Sequence, residues 1–176
     1  MYVRSAGKND VPAMRAIYAH HVETGSGTFE TVPPNLRDMR ARSAAIIKAG
    51  FPFVVVEDEG RIVGYAYANQ YRPRVGYRYT VEDSVYVAPD AIGRGIGKAL
   101  LNELIERCIA LDLKQMLAFI GDSQNAASIG VHRACGFTYV GTLTSVGHKF
   151  ERWVDVVVMQ RTLKTPAMDA RRMLAQ

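Results

Sequence analysis

The sequence contains little cysteine and offers no cross-link to hold the fold together. Cys108 and Cys135 are its two cysteines, and they form no disulfide framework pattern. A chain of 176 residues is long enough to bury a full hydrophobic core without cross-links. We therefore expect reduced thiols, a cytoplasmic setting and one domain over residues 1–163, followed by a polar C-terminal tail at residues 164–176.

Long apolar runs are also missing, as is the apolar centre of a signal peptide at the N-terminus. We therefore expect no contact with a membrane. The net charge is +5, but basic residues cluster only within residues 72–78 and 171–172, without a nucleic-acid-binding signature. This mild excess of positive charge suits an anionic cofactor, and we expect no nucleic-acid partner. The adjacent His20 and His21 point apart on a helix, so no metal site is expected.

The stretch Val85–Leu101 reads VYVAPDAIGRGIGKALL and carries the most chemical information. A short β-branched run stops at Pro89, and glycines follow at alternate positions, Gly93, Gly95 and Gly97. An apolar helical pattern then begins, which predicts a strand, a glycine turn and a helix. The first amides of such a helix lack internal acceptors, and glycines leave them accessible. The stretch therefore predicts a cradle for a phosphate or pyrophosphate.

Two common phosphate loops do not match this stretch. In a P-loop, Ile92 would have to be glycine and Ala99 would have to carry a hydroxyl. In a dinucleotide fingerprint, the third glycine would fall on Lys98 or Leu100.

The chain as a whole predicts the element order β-α-α-β-β-β-α-β-α-β-β, an α/β protein with a mixed sheet and helices on both faces. We expect a long strand over Tyr77–Val87 that leads into the cradle. The last two strands are expected at Phe137–Leu143 and Trp153–Leu163, joined by a turn at residues 147–150.

The cradle resembles the acetyl-CoA pyrophosphate loop of the GCN5-related N-acetyltransferases, whose pattern is Gln/Arg-x-x-Gly-x-Gly/Ala after a strand. Gly95 and Gly97 match this pattern, while Ile92 stands where Gln or Arg is expected. The resemblance implies that family's fold, with a mostly antiparallel central sheet, and acetyl-CoA as the cofactor. The implied cofactor contacts are Val85, Tyr86, Val87, Gly93, Arg94, Gly95, Ile96, Gly97 and Lys98.

A second run, NAASIGVHRACGF from Asn125 to Phe137, resembles the second conserved helix of the same superfamily. The resemblance implies that Asn125 bonds the pantetheine arm of the cofactor. His132 occupies the place of a tyrosine that often protonates the leaving thiolate.

Five separated runs resemble the narrower branch of phosphinothricin, methionine sulfone and methionine sulfoximine acetyltransferases. They are TFETVPP (28–34), YRPR (71–74), TVEDSVYV (80–87), SIGVHRACGF (128–137) and GHKFERWVD (147–155). The resemblance implies a small amino-acid substrate and a homodimer, with Glu82 near the amine and His132 as a second ionisable group.

Substrate contacts are expected in three loops and on the strand before the cradle. Arg72 is the expected anchor for an amino-acid carboxylate or an oxidised side-chain head, because a guanidinium binds a carboxylate through two hydrogen bonds. Arg74 replaces a residue that is commonly aromatic in the family, which favours a more anionic substrate. Lys149 and Trp153 are expected to reach a neighbouring subunit's site. The full expected set is Phe29, Glu30, Tyr71, Arg72, Pro73, Arg74, Glu82, Asp83, Ser84, Lys149 and Trp153.

The chemistry requires a base, because an ammonium cannot attack a thioester until it loses a proton. Glu82 is the expected base, and burial would raise its pKa. The alternative makes His132 the base and Glu82 the anchor of the ammonium. Cys108 and Cys135 are expected to be packed thiols, so transfer should be direct within a ternary complex.

Two other functions are compatible with the same motifs. One is a protein or peptide N-acetyltransferase, which an open peptide groove would favour. The other is a module that binds acyl-CoA without turnover.

Overall fold

The computed structural model describes residues 1–163 of the chain, and the expected tail at residues 164–176 lies outside the described residues. One seven-stranded sheet with the spatial order β1-β2-β3-β4-β5-β7-β6 organises the described part. Its strands are β1 (Tyr2–Ser5), β2 (Phe53–Asp58), β3 (Arg61–Gln70), β4 (Thr80–Val87), β5 (Gln115–Gly121), β6 (Thr138–Lys149) and β7 (Arg152–Thr162). The helices are α1 (Val11–Thr24), α2 (Leu36–Lys48), α3 (Ile96–Ala110) and α4 (Ala126–Ala134).

All neighbouring strands are antiparallel except β4 and β5, which are parallel. The expected mixed α/β sheet is therefore confirmed. Helices cover both faces of the sheet. Adjacent residues of a strand point to opposite sides, so contacts at Gly64 and Tyr65 report on the two faces. A side chain at Gly64 would meet Ile96 and Leu100 of α3 at 3.0 Å. On the other face, Tyr86 of β4 stacks on Tyr65, and its ring lies edge-on to Tyr18 of α1.

The parallel pair β4–β5 is short, and this opens the sheet. Thr80–Glu82 pairs with Gln115–Leu117, after which the two strands diverge. β4 continues to pair with β3 as far as Val87. Alternate backbone N–H and C=O groups of residues 83–87 therefore face a gap instead of a neighbouring strand.

The expected start of β4 at Tyr77 is wrong. The strand begins at Thr80, and Val75–Tyr77 forms a short 3₁₀ helix. The amides of Tyr77 and Arg78 donate to the carbonyls of Arg74 and Val75, and these turn bonds outweigh the local β propensity of the aromatic residues.

The expected turn at residues 147–150 is also misplaced. β6 continues to Lys149, which pairs with Arg152, and the turn consists of Phe150 and Glu151 at positive φ. A register shift between Leu143 and Gly147 forms a bulge in the strand. The bulge interrupts the alternation of side chains, so the sequence pattern does not indicate that the strand continues.

Candidate active site

A cleft of about 1080 Å³ opens where β4 and β5 diverge. Its walls are the divergent strands, the start of α3, one side of α4 and the segment Gly25–Phe29, which we call the cleft loop. Clefts of this size at strand ends commonly hold cofactors and substrates.

The cradle lies at the start of α3, as the sequence predicts. Gly93 and Gly95 have φ values of 81° and 77°, a conformation that a side chain disfavours. The first bond into the helix runs from the Ala99 amide to the Gly95 carbonyl at 3.0 Å. The amides of residues 96–98 therefore precede the helical ladder and are free to bind an anion.

Gly97 keeps the cradle shallow. A β-carbon there would lie 3.6 Å from Val131 and 3.8 Å from Val87, which is ordinary contact, but a large side chain would enter the cleft. Together with the edge of residues 85–87, which β5 leaves without a partner strand, the arrangement fits the pyrophosphate and the extended arm of a coenzyme A thioester.

Three flanking residues of the expected cofactor site differ in their environment. Lys98 and Ile92 both line the cleft, and Ile92 contributes no charge there. Arg94 lies outside the lining, where its guanidinium pairs with the Asp58 carboxylate at 2.5 Å.

Asn125 caps α4 and lines the cleft. Its Oδ1 accepts a hydrogen bond from the Ser128 amide at 3.1 Å, and its Nδ2 donates to the Gly121 carbonyl at 3.4 Å. The side chain expected to bond pantetheine therefore also fixes the start of the helix.

Glu82 is half-buried and lines the cleft at the last position where β4 still pairs with β5. Burial raises the pKa of its carboxyl group, and the neighbouring Asp83 charge raises that pKa further. The direction of the shift is the one that a general base needs.

Asp83 and His132 form a buried pair beside Glu82. The His132 Nε2 lies 3.0 Å from Asp83 Oδ2, and its Nδ1 lies 2.7 Å from the Ser128 carbonyl. A carbonyl only accepts, so Nδ1 carries a proton, and one more proton is shared between Nε2 and the carboxylate. Burial disfavours the imidazolium, but bonds to Asp83 and Ser128 prevail and raise the pKa of His132.

The pairing explains why Asp83 lies on the apolar face of β4, where the alternation pattern places it. Its Oδ1 is buried and has no hydrogen-bond partner among the described residues. Without the imidazole, this carboxylate would be an uncompensated buried charge.

The expected substrate residues separate into two groups. Phe29 and Ser84 line the cleft together with Glu82 and Asp83. Glu30 instead pairs with Arg42 at 2.5 Å and lines a separate cavity of about 70 Å³.

The arginine loop lies outside the cleft lining of this chain. Tyr71 stacks on Phe119, a cleft residue, and Arg72 lies over the Tyr71 ring at 5.0 Å. Pro73 and Arg74 are exposed.

The two expected residues of the last hairpin also lie outside the cleft lining. Trp153 is 66% exposed. Lys149 is only 2% exposed, and its ammonium donates to carbonyls of the cleft loop.

Several cleft residues carry no local signal in the sequence. Tyr67 and His21 line the cleft, and His21 Nε2 lies 2.9 Å from the Val87 carbonyl. Burial lowers the pKa of His21, so it is neutral and donates this bond. Gly121 is needed because a β-carbon there would lie 2.2 Å from the Ser26 carbonyl. These contacts join distant segments, so spacing does not reveal them.

Residues 14–137 match the Acetyltransferase (GNAT) family. The chain is 56% identical over 161 residues to a phosphinothricin N-acetyltransferase of Alcaligenes faecalis, covering 92% of this chain and 82% of the relative. It is 43% identical over 162 residues to an L-methionine sulfoximine/L-methionine sulfone acetyltransferase of Pseudomonas paraeruginosa, covering 92% and 94% of the two chains. A crystal structure of a GNAT superfamily phosphinothricin acetyltransferase from Sinorhizobium meliloti in complex with AcCoA has a TM-score of 0.91 at 43% identity. That match covers 95% of this chain and 90% of the other.

Sheet, cradle and cleft together define an enzyme that binds an acyl-coenzyme A. The chain belongs to the GNAT family of acetyltransferases. The sequence-based predictions of this family, of its acetyltransferase activity and of acetyl-CoA as the acetyl donor are confirmed. No helix within residues 1–163 has the length and apolar character needed to cross a membrane.

Proposed function

We propose that this enzyme transfers the acetyl group of acetyl-CoA to the α-amine of a small amino acid or analogue. Phosphinothricin, methionine sulfoximine and methionine sulfone are the candidate substrates, because relatives over nearly the whole chain are named for acting on them. The observation that carries the proposal is the half-buried Glu82 in the cleft, beside the edge where β4 loses its partner.

When bound, acetyl-CoA supplies a thioester carbonyl for the amine to attack. Glu82 accepts the proton of the substrate ammonium, directly or through a water molecule. Negative charge that develops on the carbonyl oxygen is stabilised by a backbone N–H of residues 85–87 on the open edge of β4.

The assignment of Glu82 rather than His132 as the base rests on the partners of the imidazole. Both ring nitrogens of His132 already have partners, Ser128 and Asp83, and the side chain is buried. In the alternative, with His132 as the base, the ring would first have to leave one of these partners. His132 can protonate the departing thiolate only after its ring has likewise left one of these two partners.

Direct transfer within a ternary complex is supported by the state of the two cysteines. Both are buried, and burial raises the pKa of the Cys108 thiol to about 12 and raises that of Cys135. Thiols with such pKa values are poor nucleophiles at neutral pH. Free buried thiols also fit the reducing cytoplasm that the sequence predicts.

We further propose that the chain forms a homodimer through the outer edge of β6. This twelve-residue strand is the edge of the sheet. Its exposed apolar residues are Tyr139, Val140, Leu143 and Val146. Long apolar edges are usually covered by another chain. A second copy docked here is our proposed route by which Trp153 contributes to the neighbouring site.

A thiol-release assay tests the function. Acetyl-CoA is supplied with L-phosphinothricin, L-methionine sulfoximine, L-methionine sulfone, common amino acids and a short peptide. Turnover on one of the first three supports the proposal. Turnover on the peptide alone makes the chain a peptide N-acetyltransferase, and acetyl-CoA binding without any turnover makes it a binding module.

A further inference from the structure

The cleft loop is held in place by a buried lysine from the far end of the sheet. Lys149, the last residue of β6, is 2% exposed. Its Nζ donates to the Gly25 carbonyl at 2.7 Å and to the Thr28 carbonyl at 2.8 Å. Hydrogen bonds from a charged donor are stronger than those between neutral groups. The two bonds fix the first and fourth residues of the loop.

Burying this ammonium costs desolvation free energy, which its hydrogen bonds to the loop offset. A charged amine loses its hydration when it enters the protein and keeps its charge only if it is well bonded. Burial lowers the pKa of Lys149, and the charge of Glu30 opposes that change. Two of the three N–H donors are used on the loop, so Lys149 acts on the loop rather than on a ligand.

A glycine two residues earlier shapes the same loop. A β-carbon at Gly147 would lie 1.9 Å from Cε1 and 2.5 Å from Cδ1 of Phe29. The Phe29 ring therefore occupies space that any other residue at position 147 would take. Phe29 is 38% exposed and lines the cleft, so its ring is available to a substrate.

We propose that Lys149 and Gly147 are positioning residues that set the cleft loop, and thereby the Phe29 ring, in the conformation that binds the amine substrate. Lys149 holds the loop backbone, and Gly147 gives the ring its place. Both residues lie on β6 and outside the cleft lining, so they act on amine selectivity through the loop without touching the amine. The selectivity part of this inference rests on the proposed function.

The first test compares Lys149→Met with Lys149→Arg and with the exposed Lys48→Met as a matched control. For Lys149→Met we expect the amine KM to rise about tenfold or more, because the loop is no longer held. The acetyl-CoA KM should stay within about twofold, which a general loss of structure would not allow. Lys149→Arg should show a smaller rise in the amine KM than Lys149→Met, and Lys48→Met should match the wild type. An unchanged amine KM, or an equal rise in both KM values, overturns the proposal.

The second test needs no substrate. A glutamate-specific protease cleaves after Glu30, next to the cleft loop, and after Glu59 in the β2–β3 turn. Lys149→Met should speed cleavage at Glu30 about tenfold while cleavage at Glu59 stays unchanged, because exposure follows local opening. Equal rates at Glu30 in the variant and the wild type overturn the anchoring role. This result stands even if the wild type acetylates none of the amines, an outcome that would refute the proposed function alone.

Gly147→Ala gives an independent test if Lys149→Met does not fold. The added methyl group forces the Phe29 ring to turn away and leaves the two Lys149 bonds in place. We expect the ratio of kcat/KM values for methionine sulfone and glycine to change about fivefold or more, since one pocket contact is worth this much. Cleavage at Glu30 should stay at the wild-type rate. An unchanged ratio overturns the role of Gly147.

Discussion

Glu82 gains its chemical character from its place on the strand. It lies where the β4–β5 pairing stops, so its carboxyl group borders the cleft while remaining half-buried. Two effects, burial and the charge of Asp83, raise its pKa. A carboxylate with a raised pKa is a stronger base than an ordinary glutamate.

Glu82→Gln should reduce kcat by about 10²-fold or more at neutral pH and leave acetyl-CoA affinity unchanged. In the wild type, kcat should fall as pH drops through a pKa above the ordinary glutamate value of about 4.3, because protonation removes the base. The measurement is a pH profile of kcat with calorimetric titration of acetyl-CoA. A wild-type kcat in the variant would remove Glu82 from the mechanism.

His132 is needed at the residue scale because it neutralises Asp83. His132→Leu should lower the free energy of unfolding by about 3–5 kcal/mol, since a buried carboxylate loses its partner. The loss of positive charge should also raise the pKa of Glu82 further and move the acid limb of the kcat profile upward. Urea unfolding and the pH profile measure the two effects.

The pH dependence of this stabilisation follows from the raised pKa of His132. The contribution is complete below the ordinary histidine pKa of about 6.5 and declines as pH rises through the folded-state value. The stability gap between wild type and His132→Leu should therefore be larger in mild acid than in alkali. Adding Asp83→Asn to the variant should restore stability. If it does not, the pair is not electrostatic.

At the scale of elements, the proposed cofactor site is a strand end followed by a helix start. The left-handed Gly93 and Gly95 turn the chain from β4 into α3. The free amides of residues 96–98 then face the gap that β5 leaves open. The cradle thus depends on local backbone chemistry, while the proposed place of the cofactor arm depends on the divergence of two strands.

Gly97→Trp should weaken acetyl-CoA binding by about 100-fold or more, because the indole would occupy the cradle near Val131 and Val87. Gly97→Ala is the matched control: its β-carbon is in ordinary contact, and affinity should remain close to that of the wild type. Isothermal titration with acetyl-CoA measures both. If the tryptophan variant binds as tightly as the alanine variant, acetyl-CoA does not use this cradle.

At the scale of the whole molecule, the sheet ends on β6, whose outer edge pairs with no other strand of residues 1–163. β6 exposes apolar side chains along its length, and its last residue, Lys149, donates a hydrogen bond to the cleft loop. Docking of a second copy would therefore cover the edge and stabilise the strand that positions the loop. In the proposed dimer, assembly and substrate binding would be linked through this strand.

The wild type should sediment as a dimer, with twice the 19.5 kDa mass of the chain. Val140→Lys should shift it to the monomer, because a charge on an edge strand opposes strand pairing. The exposed Ile47→Lys on α2 is the control and should leave the dimer intact. Analytical ultracentrifugation decides the matter, and a monomeric wild type would contradict the proposed assembly.

Local patterns in the sequence determined the fold class and the cradle. The glycine spacing before α3 predicts the turn because positive φ and free helical amides are properties of a few consecutive residues. Strand alternation likewise predicts that Asp83 and Glu82 face opposite sides. The expected boundaries failed where local propensity competed with turn bonds, at Val75–Tyr77, and where a bulge interrupted the period in β6.

Only the tertiary structure decided which distant residues meet. Asp83 pairs with His132 across 49 positions, and Lys149 reaches Gly25 across 124. No spacing rule encodes such contacts, because they depend on how β4, α4 and β6 pack after the chain has folded. The tertiary structure likewise placed Arg72 outside the cleft of its own chain and Lys149 beneath the loop. The sequence therefore determined the chemistry that is available, and packing decided which side chains act together.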